Sequence, residues 1–276
     1  MKDSKQKDSI QKESIQKDSI QKDSIQKDSR RIDSIQAGSV QLDRKRKGKL
    51  YVIEGLDGSG KATQSELLYE SFLEKGLPVR KVSFPNYKSD SSALVRMYLR
   101  GDFGTDPSDV NAYAASSFYA ADRFAGYKAD WGEFYEKGGV IIADRYTTSN
   151  AVHQCSKLPE EEWDGFLEWL FHYEYELLGI PAPDAVIYLQ VDPAVSQKLM
   201  AGRYQGDESK KDIHERNVRY LEQSAKAAAY CAGKLGWKIV RCSDGEKMRS
   251  VTEIRSEIYS LLNLDVLQAL HIKDDA

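Results

Sequence analysis

The chain has 276 residues, 30% of them charged, and a formal net charge of −3 at pH 7. No stretch approaches the roughly 18 apolar residues of a membrane span, and the first thirty residues hold no apolar signal core, so neither a span nor a secretory leader is expected. Three cysteines without metal-type spacing and four scattered histidines argue against a zinc site and for reduced thiols in a cytoplasmic protein.

Residues 1–48 stand apart. The pentapeptide KDSIQ recurs there, placing Ile10, Ile15, Ile20 and Ile25 five residues apart. Five matches neither the helical period nor the strand period, so the isoleucines form no continuous face, and a low-complexity, disordered tail is expected. The segment closes on Arg44, Lys45, Arg46 and Lys47, and carries 13 basic against 8 acidic side chains. Such a run reads as a solvated linker more readily than as a nucleic-acid arm. Residues 49–276 then net −8 and are long enough for one α/β domain with a sizeable core.

That domain opens on apolar Leu50, Tyr51, Val52 and Ile53, which read as a buried strand. Gly55, Leu56, Asp57, Gly58, Ser59, Gly60 and Lys61 follow, and a helical pattern runs over Ala62–Lys75. Glycines let several backbone N–H groups converge, the following helix points its positive end at the same place, and Lys61 adds a mobile cation. This is a phosphate cradle of P-loop type at every position except the last, where Ala62 replaces the hydroxyl residue and Thr63 comes one place late. Thr63 sits about 100° further round the helix. Magnesium accompanying a nucleoside triphosphate is therefore expected to be held through water or by a carboxylate elsewhere.

Downstream, strands are expected over Val79–Phe84, Val140–Asp144, Ala185–Val191 and Trp237–Arg241. Helices are expected over Ser92–Arg100, Val110–Tyr135, Glu160–Leu178, Ala194–Met200, Asp212–Leu235 and Ser250–Leu262, with a polar stretch over Arg203–Lys211. Five apolar strands separated by helices imply a parallel sheet covered on both faces. Ligands in such sheets lie at the carboxyl ends of the strands, here just after Ile53, Phe84, Ala143 and Val191.

Asp144 and Arg145 occupy one such end. They suit a metal-organising acid and a bidentate phosphate ligand, or else they cap the next helix and pair with each other. Tyr119 and Arg123 lie four apart on one helix face, an arrangement that stacks and reads a base or merely packs. Phe84 and Pro85 would line the space between. Arg203, Lys210, Lys211 and Arg216 make a cationic loop that closes over a phosphate, or an ordinary exposed loop.

Taken together, EGLDGSGKATQ, SFP, YLRGDFG, FYAADR and DRYTTSNAVHQ resemble the thymidylate kinase family in order and spacing, over roughly Lys49 to Leu262. These are nucleoside monophosphate kinases that phosphorylate dTMP with ATP. The resemblance implies a P-loop NTPase-type three-layer α/β/α fold with a five-stranded parallel sheet and a small basic lid at about 203–216. It implies that Gly55–Thr63 hold the ATP phosphates, that Lys61 bridges the donor phosphates and that Asp144 organises Mg2+ through water. Arg145 would hold the acceptor phosphate and Asp57 the acceptor's 3′-hydroxyl. Tyr119 falls where the family stacks thymine on phenylalanine, and Arg123 where the base edge is read. Phe84, Pro85, Ser149 and Asn150 would complete the dTMP pocket, and His153 falls at an aromatic position near the sugar. This P-loop lacks the arginine some members carry, and members of that kind supply charge from the lid, here Arg203, Lys210 and Lys211. A homodimer is implied as well. A deoxynucleoside kinase with Glu54 or Asp57 as base, or a nucleotide binder disabled at Ala62, are the alternatives.

Overall fold

The computed structural model describes residues 48–192, 195, 196, 199, 212–245 and 247–262. The repeat tail, with Arg44–Lys47, and the polar stretch holding Arg203, Lys210 and Lys211 lie outside the described residues.

Apolar runs become the expected sheet. Strands β1 (Lys49–Gly55), β2 (Val79–Ser83), β3 (Val140–Asp144), β4 (Ala185–Gln190) and β5 (Lys238–Arg241) form one five-stranded sheet in the order β2-β3-β1-β4-β5. Every pairing is parallel, with Ile53 opposite both Asp144 and Ile187. Between the strands run α1 (Lys61–Glu74), α2 (Ala93–Arg100), α3 (Ala112–Gly126), α4 (Gly132–Glu136), α5 (Thr147–Cys155), α6 (Trp163–Phe171), α7 (Ile213–Arg216) and α8 (Val218–Lys234). A short hairpin of β6 (Ser243–Asp244) and β7 (Lys247–Met248) leads into α9 (Val251–Leu262).

The period of two along β1 sorts its side chains into two cores. Tyr51 and Ile53 pack with Leu68 and Phe72 of α1 and with Ile254 and Ile258 of α9. Leu50 and Val52 face the opposite layer, with Trp131, Tyr146, Val152 of α5 and Cys231 of α8. Helices thus cover both faces, and β1 is buried on each side, which is why it reads as unbroken apolar sequence.

Three expected helices are interrupted. The helix expected over Val110–Tyr135 starts at Ala112, after the Asn111 side chain caps Ala114 N at 2.8 Å, and widens to a π turn at Tyr127–Trp131. Gly132 closes that turn: a Cβ there would lie 2.3 Å from the Tyr127 carbonyl oxygen. The helix expected over Glu160–Leu178 has a second π turn at His172–Leu177. The helix expected over Asp212–Leu235 breaks at Asn217, whose extended backbone ends α7 and whose side chain caps Tyr220 N at 3.0 Å to restart as α8. The ordering of elements also left α5 and the β6–β7 hairpin unassigned.

Candidate active site

A cavity of about 770 Å³ opens at the carboxyl ends of β1, β2 and β3. β1 carries Glu54 and Gly55 at its carboxyl end, and the chain then turns tightly into α1. Gly58 and Gly60 take φ of 79° and 86°, left-handed values that side chains rarely adopt. Gly60 is also the residue from which α1 starts, so the first turn of a 14-residue helix lines the cavity through Lys61, Ala62 and Thr63. Lys61 Nζ donates to the Leu56 carbonyl at 2.9 Å and lies 3.8 Å from Asp57 Oδ1. Burial, with Arg145 nearby, lowers the Lys61 ammonium to about 8 despite the attraction of Asp57 and Glu54.

Arg145 stands at the end of β3 with φ of 67°, the one left-handed side-chain residue among those described. Holding a non-glycine residue there costs on the order of 1–3 kcal/mol, a cost that clusters at functional sites. Its Nη2 donates to Asp57 Oδ1 at 2.5 Å, while Nη1 lies 3.4 Å from the Gly55 carbonyl, Ser149 Oγ and His153 Nε2, and 3.6 Å from Glu54 Oε1. Burial by itself would raise the Asp57 carboxyl, but Arg145 and Lys61 together hold it well below the usual carboxylate range. Burial likewise opposes the Arg145 charge, and the carboxylates of Asp57, Glu54 and Asp144 outweigh it and hold the guanidinium charged. Two fixed cations thus face one cavity, and a phosphate entering it meets charge already in place.

Glu54, 1% exposed, is the organising acid beneath them. It accepts from Gly55 N at 2.9 Å, Thr148 Oγ1 at 2.7 Å and Ser149 Oγ at 2.8 Å. Asp144 lines the same cavity at the end of β3.

Phe84, Pro85, Tyr119, Arg123, Asn150 and His153 line the other end. Arg123 is fully buried, with Nε and Nη2 donating to Glu174 at 2.7 and 2.5 Å. Glu174 also accepts from Thr147 Oγ1 at 2.8 Å and from Asn150 Nδ2 at 3.4 Å. The π turn at 172–177 carries this carboxylate, and Arg123 and Glu174 lie 51 residues apart in sequence, so no local pattern announces the pair. His153 stacks on His214, 5.7 Å between ring centroids, and on Tyr220 at 6.1 Å. Burial and then Arg145 lower the His153 imidazole to about 3, so it is neutral at physiological pH. A guanidinium only donates, so His153 Nε2 is the acceptor and the ring proton sits on Nδ1.

The expected cavity residues from Asp57 to Thr63 line it, and so do Ser149 and the six just named. Gly55 and Leu56 do not: Gly55 ends β1, and Leu56 packs against the core beside Val52. Several lining residues went unforeseen. Asp212 and His214 enter from α7, and Gln64, Met248, Arg249 and Ile254 form the wall beside the P-loop helix. Asp212 caps α7, accepting from the backbone of His214 and Glu215 at 2.9 Å each, and burial raises its carboxyl to about 6. Its only sequence signal was the capping-box pair Asp212 and Glu215.

Comparisons with known proteins agree with this geometry. The thymidylate kinase family model matches residues 53–253. The chain is 31% identical over 190 residues to thymidylate kinase from Mycobacterium tuberculosis, covering 68% of this chain and 87% of that one. It is 29% identical over 221 residues to the probable thymidylate kinase of Pyrococcus abyssi, covering 80% and 98%. A solved thymidylate kinase from Candida albicans superposes with a TM-score of 0.60 at 19% identity, covering 80% of this chain and 93% of that one, which places the fold. A phosphate-type loop at the end of β1, an arginine clamped beside it and a family match across most of the folded residues leave one assignment: the chain belongs to the thymidylate kinase family.

Proposed function

We propose that this cavity transfers the γ-phosphate of ATP to dTMP, giving dTDP and ADP. The observation that carries the reading is the pairing of Lys61, at the start of α1, and Arg145, after the end of β3, across Asp57, two cations facing one cavity. Lys61 and the amides of the 55–63 turn hold the donor phosphates. Arg145 holds the acceptor phosphate, with Asp57 and Glu54 fixing the guanidinium and Asp57 placed to meet the 3′-hydroxyl. Tyr119 stacks the base, Phe84 and Pro85 wall it, and Arg123, Ser149, Asn150 and His153 complete the nucleoside pocket. Arg203, Lys210 and Lys211 supply lid charge.

An acceptor phosphate is already a nucleophile at neutral pH, so transfer in line needs no strong base. The residues act by holding two anions together and by neutralising charge as it develops. Glu54 supports this version over the hydroxyl-acceptor alternative, because its carboxylate is occupied by Gly55, Thr148 and Ser149.

The donor set fits magnesium held mainly by nucleotide and water. Among the described residues no group of three or more His, Cys, Asp or Glu side chains converges to cage a metal, and magnesium is commonly bound by one or two carboxylates plus phosphates and water. Asp144 is that carboxylate, acting through water. When bound, the ion would supply positive charge that offsets the charge of the phosphates, with Asp144 holding it through water. The family resemblance supports a homodimer, and the free cysteines support a cytoplasmic location; no described helix is long and apolar enough to cross a membrane.

Lys61→Ala and Arg145→Ala test the two roles. Each is expected to lower turnover by at least about a hundredfold, with Lys61→Ala weakening ATP and Arg145→Ala weakening dTMP. Near-normal rates in either variant refute the role given to that residue.

A further inference from the structure

Tyr98 is buried on α2 and is not among the described residues that line the cavity, although its neighbour Leu99 is. Its hydroxyl is nevertheless where three other parts of the fold meet. It donates to the Pro107 carbonyl at 3.1 Å, Lys157 Nζ donates to it at 2.8 Å, and His214 Nε2 of α7 lies 2.9 Å away. Lys157 is itself fixed, donating to the Val110 carbonyl at 3.0 Å. A phenol has one proton to give, a carbonyl only accepts and an ammonium only donates. With the Tyr98 proton on Pro107, His214 is the donor, and its ring proton sits on Nε2.

His214 carries the connection to the cavity, which it lines. Burial lowers its imidazole well below the ordinary histidine range, so the ring is neutral. It stacks on His153, 5.7 Å between centroids and 21° between planes, and packs on Tyr220 at 4.6 Å. Tyr220 braces the same pair by donating its hydroxyl to the His153 carbonyl at 2.9 Å. His153 Nε2 in turn accepts from Arg145 Nη1. A guanidinium on a left-handed backbone needs such a brace, because Nη1 has only long hydrogen bonds, 3.4 Å each to the Gly55 carbonyl, Ser149 and His153.

We propose that Tyr98 is a positioning residue for Arg145: its hydroxyl fixes the tautomer and orientation of His214, His214 fixes the plane of His153, and His153 holds Nη1. Without the hydroxyl the His214 ring turns freely, the stack loosens and the guanidinium drifts, and small misplacements of a binding group slow transfer steeply. The inference rests on the reading above that Arg145 holds the acceptor phosphate.

Steady-state kinetics test it, with dTMP and ATP varied in turn, on the full chain as wild type, Tyr98→Phe, His153→Phe and the double variant. Tyr98→Phe is expected to raise KM for dTMP about fivefold or more, the effect of one lost hydrogen bond, and to leave KM for ATP unchanged. In the His153→Phe background the same replacement is expected to add less than about twofold, because the route to Arg145 is already cut. Ring-nitrogen NMR of the four histidines in wild type is expected to show the His214 proton on Nε2 and the His153 proton on Nδ1. An unchanged KM for dTMP in Tyr98→Phe, an equal rise in both KM values, or effects that multiply in full in the double variant overturns the proposal and makes Tyr98 a packing residue. Should Tyr98→Phe fail to fold, the wild-type spectrum decides: a His214 proton on Nδ1 overturns the proposal and one on Nε2 supports it. If wild type itself does not turn over dTMP, the reading of the cavity falls and takes this inference with it; if wild type turns over dTMP and Tyr98→Phe matches it, only Tyr98 loses its role.

Discussion

Lys61 shows how a single side chain ties the fold to its chemistry. Burial lowers its ammonium from 10.5 to about 8, so the empty site holds a cation close to losing its proton. Donor phosphates favour the charged form, and binding must therefore draw in a proton once the pH passes about 8. The sign follows: ATP affinity is flat below about 8 and weakens above it, by up to about tenfold per pH unit for one linked proton. Titrations at pH 7, 8 and 9 check this, and Lys61→Met should abolish the slope; an equal slope in that variant would assign the proton elsewhere. His153, neutral from about 3 upward, contributes no step of its own between pH 5 and 9. Ala62 belongs to the same scale. It lines the cavity with no hydroxyl to offer, and Asp144 lines the same cavity as the carboxylate that the proposed reaction would use to hold the metal through water.

Among the elements, the π turn at His172–Leu177 matters most to the site. It carries Glu174 into a fully buried pair with Arg123, and Thr147 and Asn150 lean on the same carboxylate. A buried ion pair contributes little net stability while intact, but removing one partner leaves an uncompensated charge. Glu174→Ala is therefore expected to destabilise the fold by about 3–5 kcal/mol, read from urea unfolding midpoints, and the double replacement Arg123→Met with Glu174→Leu to restore most of that loss. A loss below about 1 kcal/mol in the single variant would mean that water reaches the pair.

The contrast between Glu174 and the P-loop explains what the sequence made legible. Strands β1, β3 and β4 declared themselves because both of their faces are buried, and the 55–63 turn because glycine there answers a local backbone demand. Glu174 and Asp212 did not, because their positions depend on contacts between elements far apart in the chain. The break at Asn217 was hidden for a related reason: the residues on both sides are good helix formers, and only the cap at Tyr220 N shows where one helix stops.

At the scale of the whole molecule, the described fold begins at Gly48, packed where a Cβ would meet the Tyr135 carbonyl oxygen at 2.4 Å, and Lys49 starts the central strand β1. The described residues that line the cavity run from Asp57 to Ile254. Removal of residues 1–47, which keeps Gly48, is expected to leave melting temperature and turnover unchanged; a fall in either would give the repeats a structural or catalytic part. The central claim is that one cavity brings ATP and a pyrimidine nucleoside monophosphate together for direct transfer. Magnesium-dependent ADP release, measured across dTMP, dUMP, the ribose analogue of dTMP, dCMP, AMP and thymidine, tests it most directly. The account predicts clear preference for dTMP and negligible turnover with thymidine, because Glu54, the candidate base for a hydroxyl acceptor, is committed to Gly55, Thr148 and Ser149. Turnover of thymidine above dTMP, or tight nucleotide binding with no turnover of any acceptor, would contradict it.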